Sequence, residues 1–286
     1  MRWSPTGRGN IDDLRGRSGM RRGGMSLGIG GVLLLLVLSW ATGTDFLSLL
    51  DGGAGPAVTD SSGTDLPVQS TPEEERQIDF VNAVVEDAQS TWEQLLGSRY
   101  QRTRLGLFRD AVQSACGFAE AATGPFYCPA DGRVYLDLGF FDELARRFGA
   151  PGDFAQAYVI AHEIGHHVQN LAGISDRVQQ DPRPGANSAS VALELQADCF
   201  AGIWGHAASQ SGRFQAGRVE LDPGDAEEAL RAAASIGDDR LQKMASGRIA
   251  PERFTHGTSE QRMEWFARGM QSGKPESCDT FRSMTN

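Results

Sequence analysis

The 286-residue chain is 40% apolar, 8% aromatic and 22% charged, which supplies enough apolar side chain for a sizeable core and excludes wholesale disorder. Its net charge of −10 argues against nucleic acid as a partner. That charge is uneven: residues 1–25 hold six arginines against two aspartates, or +4, so residues 26–286 carry −14.

In chain order, residues 1–25 read as a basic cytoplasmic tail. From Met25 to Thr44 no side chain is charged, and these 20 residues would span about 30 Å as a helix, the thickness of a bilayer's hydrocarbon layer. This predicts a transmembrane anchor at 26–45. By the positive-inside rule, Arg2, Arg8, Arg15, Arg17, Arg21 and Arg22 hold the N-terminus in the cytoplasm and send the rest across, as a single-pass membrane protein. A cleaved signal peptide, giving a secreted protein, is the alternative, and it exports the rest equally. Residues 46–71, dense in Gly, Pro, Ser, Thr and Asp, read as a flexible linker to a folded domain at 72–286.

That domain opens with Thr71 as N-cap, Pro72 at the first helical position and Glu74 completing a capping box. Ile78, Val81, Val85, Ala88, Trp92 and Leu95 then follow at helical spacing up to Gly97. Alternation around Arg133–Leu138 predicts a half-buried or edge strand. Helices are expected over 139–148, 153–172, 187–209, 223–236 and 257–271. The fold class is a helix-rich α+β domain with a small β component.

His162-Glu163-Ile164-Gly165-His166 is an HExxH motif. On a helix, positions i and i+4 share a face, so both imidazoles reach one ion, while Glu163 is offset to take a proton from a bound water. A catalytic zinc takes three protein ligands. Glu194 and Asp198 have the same i, i+4 spacing inside an apolar helix, where burying two carboxylates is costly unless each meets a cation or a donor. Glu194 is therefore the expected third ligand, with Asp198 orienting His162 through the imidazole N–H. Asp176 and His206 are weaker ligand candidates. Cys116, Cys128, Cys199 and Cys278 permit three disulfide pairings, of which 116–128 and 199–278 are preferred; thiolate ligation by Cys199 is the rival.

Residues 161–169 (AHEIGHHVQ), 194–204 (ELQADCFAGIW) and 254–262 (FTHGTSEQR), with GPFYCP at 124–129, resemble the bacterial family of putative neutral zinc metallopeptidases, and more distantly the thermolysin-like gluzincins. The resemblance covers about 77–286. It implies a zincin-like fold, one Zn2+ per chain and a peptide or protein substrate, with an endopeptidase favoured over an exopeptidase. Thr255, His256 and Arg262 also resemble a segment of membrane-linked zinc peptidases in which the histidine approaches the metal site. That resemblance implies a catalytic role for His256 at the oxyanion and a carboxylate partner for Arg262, although Gly257 stands where those relatives carry proline. The strand near 133–138 is the expected ledge for an extended substrate. A zincin-fold binding module without activity, and a zinc hydrolase acting on a non-peptide amide, are the competing functions.

Overall fold

The computed structural model describes residues 1–16, 68–121, 124–150, 152–179, 185–210, 212 and 218–283. The expected anchor at 26–45 and most of the expected linker lie outside these residues. Among the described residues no helix is long and apolar enough to cross a membrane.

Helix α1 (Pro72–Leu96) starts and stops at the signals in the sequence, with the Thr71 hydroxyl accepting from the Glu74 N–H and Gly97 at its end. It buries Ile78, Val81, Val85, Ala88 and Trp92 as one stripe. The capping box is only half formed, because the Glu74 carboxylate is taken by Arg15 and Arg109.

The main sheet has the order β1 (Ile11–Asp13), β2 (Arg104–Phe108), β6 (Arg133–Asp137), β5 (Phe126–Cys128). The first three strands run parallel, and β5 pairs antiparallel to β6. A separate hairpin joins β3 (Ala111–Ser114) to β4 (Gly117–Glu120). The alternation at 133–138 does mark a strand, but β6 is interior rather than at an edge. Val134 and Leu136 face the large core while Tyr135 packs with Phe108, Val112 and Cys128 on the other side. Two apolar surroundings thus absorb both faces of a strand whose sequence reads as half polar.

Five helices form where the sequence places them: α2 (Gly139–Arg146), α3 (Asp153–Leu171), α5 (Ala189–Ala208), α6 (Asp225–Ser235) and α8 (Ser259–Ser272). Three short ones, α4 (Ile174–Gln179), α7 (Asp238–Ser246) and α9 (Thr280–Ser283), are additional among the described residues. The result is a helix-rich α+β fold. At its centre α5 is gripped by α3 on one side and α8 on the other, and glycines set the spacing. A Cβ on Gly165 would come within 3.1 Å of the Ala197 carbonyl oxygen, and one on Gly269 within 1.9 Å of the Cys199 carbonyl oxygen. Both preferred disulfides form, Cys116–Cys128 and Cys199–Cys278.

The N-terminal boundary needs correcting. Residues Met1–Arg15 belong to the same compact unit as Gln69–Asn286, not to a separate tail. Strand β1 pairs residue for residue with β2. Asn10 bonds to the buried Asn82 and Gln89 and to the half-buried Glu86, and Trp3 stacks edge-on against Phe80. Arg8 pairs with Glu75 and Asp79, and Arg15 with Asp13 and Glu74. The sequence reading uses these arginines as a cytoplasmic anchor; Arg8 and Arg15 are paired with carboxylates of the folded unit, while Arg17, Arg21 and Arg22 lie outside the described residues. The sheet therefore holds residues 1–15 and 69–286 in one folded unit.

Candidate metal centre

Helices α3 and α5 cross at Gly165, and the close approach there brings three side chains from separate turns to one point. His162 Nε2 lies 3.2 Å from Glu194 Oε2 and 3.2 Å from His166 Nε2, and His166 Nε2 lies 3.5 Å from Glu194 Oε2. Donors about 2.0–2.1 Å from a tetrahedral ion stand roughly 3.3 Å apart, so the triangle has the size that one zinc requires. Among the described residues this is the one His-containing group whose ligand atoms could share an ion.

Each imidazole is also fixed on its far side. His162 Nδ1 lies 2.9 Å from Asp198 Oδ1, and His166 Nδ1 lies 2.9 Å from Gln169 Oε1. The Gln169 amide NH2 is in turn committed to the Leu193 carbonyl and to Gln196, so its oxygen faces His166. With both Nδ1 atoms donating, both Nε2 lone pairs face Glu194. Asp198 is thus the residue at the His162 Nδ1 atom. The part of Gln169 was missed, though its place three residues after His166 on the same helix was visible.

Asp198 is wholly buried and held on four sides. Arg262 grips it with Nε at 2.8 Å and Nη2 at 2.9 Å, and the Tyr158 hydroxyl donates to the oxygen that His162 also uses. Burial alone would raise the Asp198 pKa, but Arg262 and then His162 outweigh it and hold the carboxyl below its usual range. Burial opposes charge on His162 too, yet Asp198 and Glu194 push its pKa up to about 10. Glu194, despite its burial, is held well below the carboxylate range, first by His166 and then by His256. All of these directions mean that the centre of the triangle favours positive charge, which a divalent cation satisfies better than a proton.

Glu163 is buried next to His162 and lines a cavity of about 900 Å³ together with His162, His166, Glu194, Tyr127 and His256. His256 is not a helix cap; Thr258 fills that place with a complete capping box to Gln261. The His256 ring is held at Nδ1, 2.8 Å from the Thr255 hydroxyl and 3.4 Å from Asp238 Oδ1. Asp238, which the sequence reading did not single out, also accepts the backbone N–H groups of Thr255, His256 and Gly257. Gly257 has φ +90°, a backbone that proline cannot adopt, and that explains the departure from the relatives' pattern.

Asp176 and His206 are not brought to the centre; His206 instead tethers α5 to α8 through the Met270 carbonyl. Cys199 is in a disulfide and is no ligand. The expected ledge at 133–138 is also displaced. β6 has partners on both sides, and β5 is the edge strand, with Phe126 and Tyr127 lining the cavity.

The family model described as "Putative neutral zinc metallopeptidase" matches residues 1–281. "Uncharacterized protein YpfJ" of Escherichia coli K12 is 44% identical over 296 aligned residues, covering 98% of this chain and 99% of the relative. "Uncharacterized protein Rv2575" of Mycobacterium tuberculosis H37Rv and "Uncharacterized protein Mb2605" of Mycobacterium bovis are each 46% identical over 196 residues, covering 67% of this chain and 66% of theirs. No solved structure matches.

Proposed function

The chain belongs to the putative neutral zinc metallopeptidase family, and from that premise we propose that it is a zinc-dependent endopeptidase with a zincin-like catalytic unit acting on extended polypeptide. The triangle of His162, His166 and Glu194 is the observation that carries this reading. One zinc held there would polarise the scissile carbonyl and lower the pKa of a bound water towards 7. Glu163 takes the proton of the attacking water and returns it to the leaving amine. His256, oriented by Thr255 and Asp238, donates to the oxyanion of the tetrahedral adduct. Asp198 and Gln169 hold the two imidazoles in the Nδ1–H tautomer throughout.

Among the described residues β5 has no strand on its outer edge, which supports a substrate added as a further strand, and the cavity of about 900 Å³ has room for several residues of it. This favours cleavage within a chain over removal of single terminal residues. The test is hydrolysis of reduced, unfolded casein. The zinc-loaded chain should cleave it at internal bonds, stop when the metal is chelated and recover when zinc is restored; cleavage that survives chelation contradicts the reading.

We further propose that the whole catalytic unit, residues 1–15 included, works in an oxidising compartment outside the cytoplasm. Two disulfides support this, since such bonds persist there. Whatever the uncharged run from Met25 to Thr44 does at a membrane, its two flanks then lie on the same side. In spheroplasts expressing the chain with a different epitope at each end, external protease should remove both together. Protection of the N-terminal epitope alone would restore the single-span arrangement.

A further inference from the structure

The histidine after the motif, His167, is buried, points away from the triangle and has no part in the mechanism. For the neutral imidazole its bonds nevertheless have only one consistent assignment. Nε2 lies 2.6 Å from the Gln101 carbonyl, which can only accept, so Nε2 carries the proton and donates. Nδ1, 3.0 Å from the Tyr127 hydroxyl, is therefore a bare acceptor, and Tyr127 donates to it. The Asn170 amide, 3.0 Å away, then donates to the same hydroxyl oxygen. His167 and Asn170 are one turn apart on the helix that carries His162 and His166, while Tyr127 is the middle residue of the edge strand β5.

We infer that His167, Asn170 and Tyr127 form a clamp that fixes the height and register of the β5 edge against the metal triangle. On this view the three are positioning residues for the main chain of a bound peptide. Side-chain alternation fits the role. Tyr127 faces α3, while its neighbours face the opposite side of the sheet, where Phe126 stacks on Tyr135 and Cys128 is tied by its disulfide to Cys116. Without the clamp, the strand would be held by three residue pairs with β6, the Phe126–Tyr135 stack and that disulfide, all on the face away from α3 or along the β6 side. A peptide lying along β5 is positioned by a strand that is itself bonded one helical turn beyond the ligand His166. A looser strand would weaken its hold on the peptide main chain without disturbing the ligands. The inference rests on the reading of β5 as the substrate ledge.

The test uses the full zinc-loaded chain and Tyr127→Phe, which removes only the hydroxyl, with hydrogen exchange of the β5 amides as the first readout. Zinc content and melting temperature should match the parent. Exchange at Phe126–Cys128 should rise about tenfold, the worth of one hydrogen bond. A peptide hydroxamate that caps the zinc should protect those amides in the parent and protect them less in the variant. With a fluorogenic nonapeptide, KM should rise while kcat stays within about twofold, a split that general destabilisation would not give. His167→Gln, whose amide can both donate and accept, should restore part of the parent's exchange rate relative to His167→Leu. Exchange and hydroxamate protection unchanged by Tyr127→Phe would overturn the clamp, whether or not the chain cleaves peptides. Slower exchange in the parent with no peptide cleavage would uphold the clamp and count against the peptidase reading alone.

Discussion

Glu163→Gln should lower peptide hydrolysis by about 10²–10⁴-fold, the usual contribution of a general base, while zinc content and melting temperature stay those of the parent. The substitution keeps shape and hydrogen-bonding capacity but removes the ability to accept a proton. The three candidate ligands are His162, His166 and Glu194, and Glu163 is none of them, so the metal has no reason to leave. Glu163 is buried beside His162 and borders the cavity, which puts its carboxylate within the volume the substrate must enter. Activity, zinc and stability measured on the same preparation separate the possibilities. Hydrolysis within tenfold of the parent, with zinc still bound, would remove Glu163 from the mechanism.

Deleting residues 1–15 should be the most destabilising change that leaves the metal centre untouched. The deletion strips β1 from the sheet and uncovers the apolar surface under Ile11, which burial otherwise stabilises by about 1.5–3 kcal/mol for one large aliphatic side chain. It also orphans the buried polar atoms of Asn82 and Gln89 that bond to Asn10, at roughly 1–3 kcal/mol for each group left unsatisfied. Against a typical total of about 5–15 kcal/mol, these losses are large. A fragment starting at residue 69 should therefore be insoluble or lack a cooperative melting transition. Arg15 and Ser70 are bonded to each other at 2.9 Å, so the ends flanking 16–68 are neighbours. Replacing 16–68 by a flexible bridge of about ten residues, which reaches up to roughly 30 Å, should give a soluble chain that melts within a few degrees of the parent. Equal melting temperatures for the 69–286 fragment and the parent would contradict the role assigned to the N-terminal segment.

What could be read from the sequence follows from how far apart the interacting groups are along it. HExxH and the Glu194–Asp198 pair are i, i+4 patterns on apolar helices, so local periodicity alone places each pair on one face. Joining the two pairs needed only the argument that buried carboxylates require a cation or a donor. Gln169 obeys the same local geometry, but glutamine carries no chemical signature that marks it as an imidazole partner. Asp238 acts mainly through backbone N–H groups near His256, and nothing in the sequence announces such bonds. β1 and β2 are three and five residues long and pair across some ninety positions, beyond the reach of any alternation argument. Their partnership also brings residues 1–15 into the folded unit, where Arg8 and Arg15 are paired with carboxylates of the first helix, bonds that a count of positive charge does not reveal. Gly165 shows the reverse case. It reads as filler within HExxH, yet it is what lets α3 and α5 approach closely enough for Glu194 to meet the two histidines.

The most direct test of the metal centre is the zinc content of the full-length chain after reconstitution and removal of excess metal, measured beside Glu194→Ala. One zinc per chain in the parent, with binding weakened by at least tenfold in the variant, is the expected result. A parent that retains no zinc, or a Glu194→Ala chain that binds it as tightly as the parent, would contradict the assignment of His162, His166 and Glu194 as the ligands.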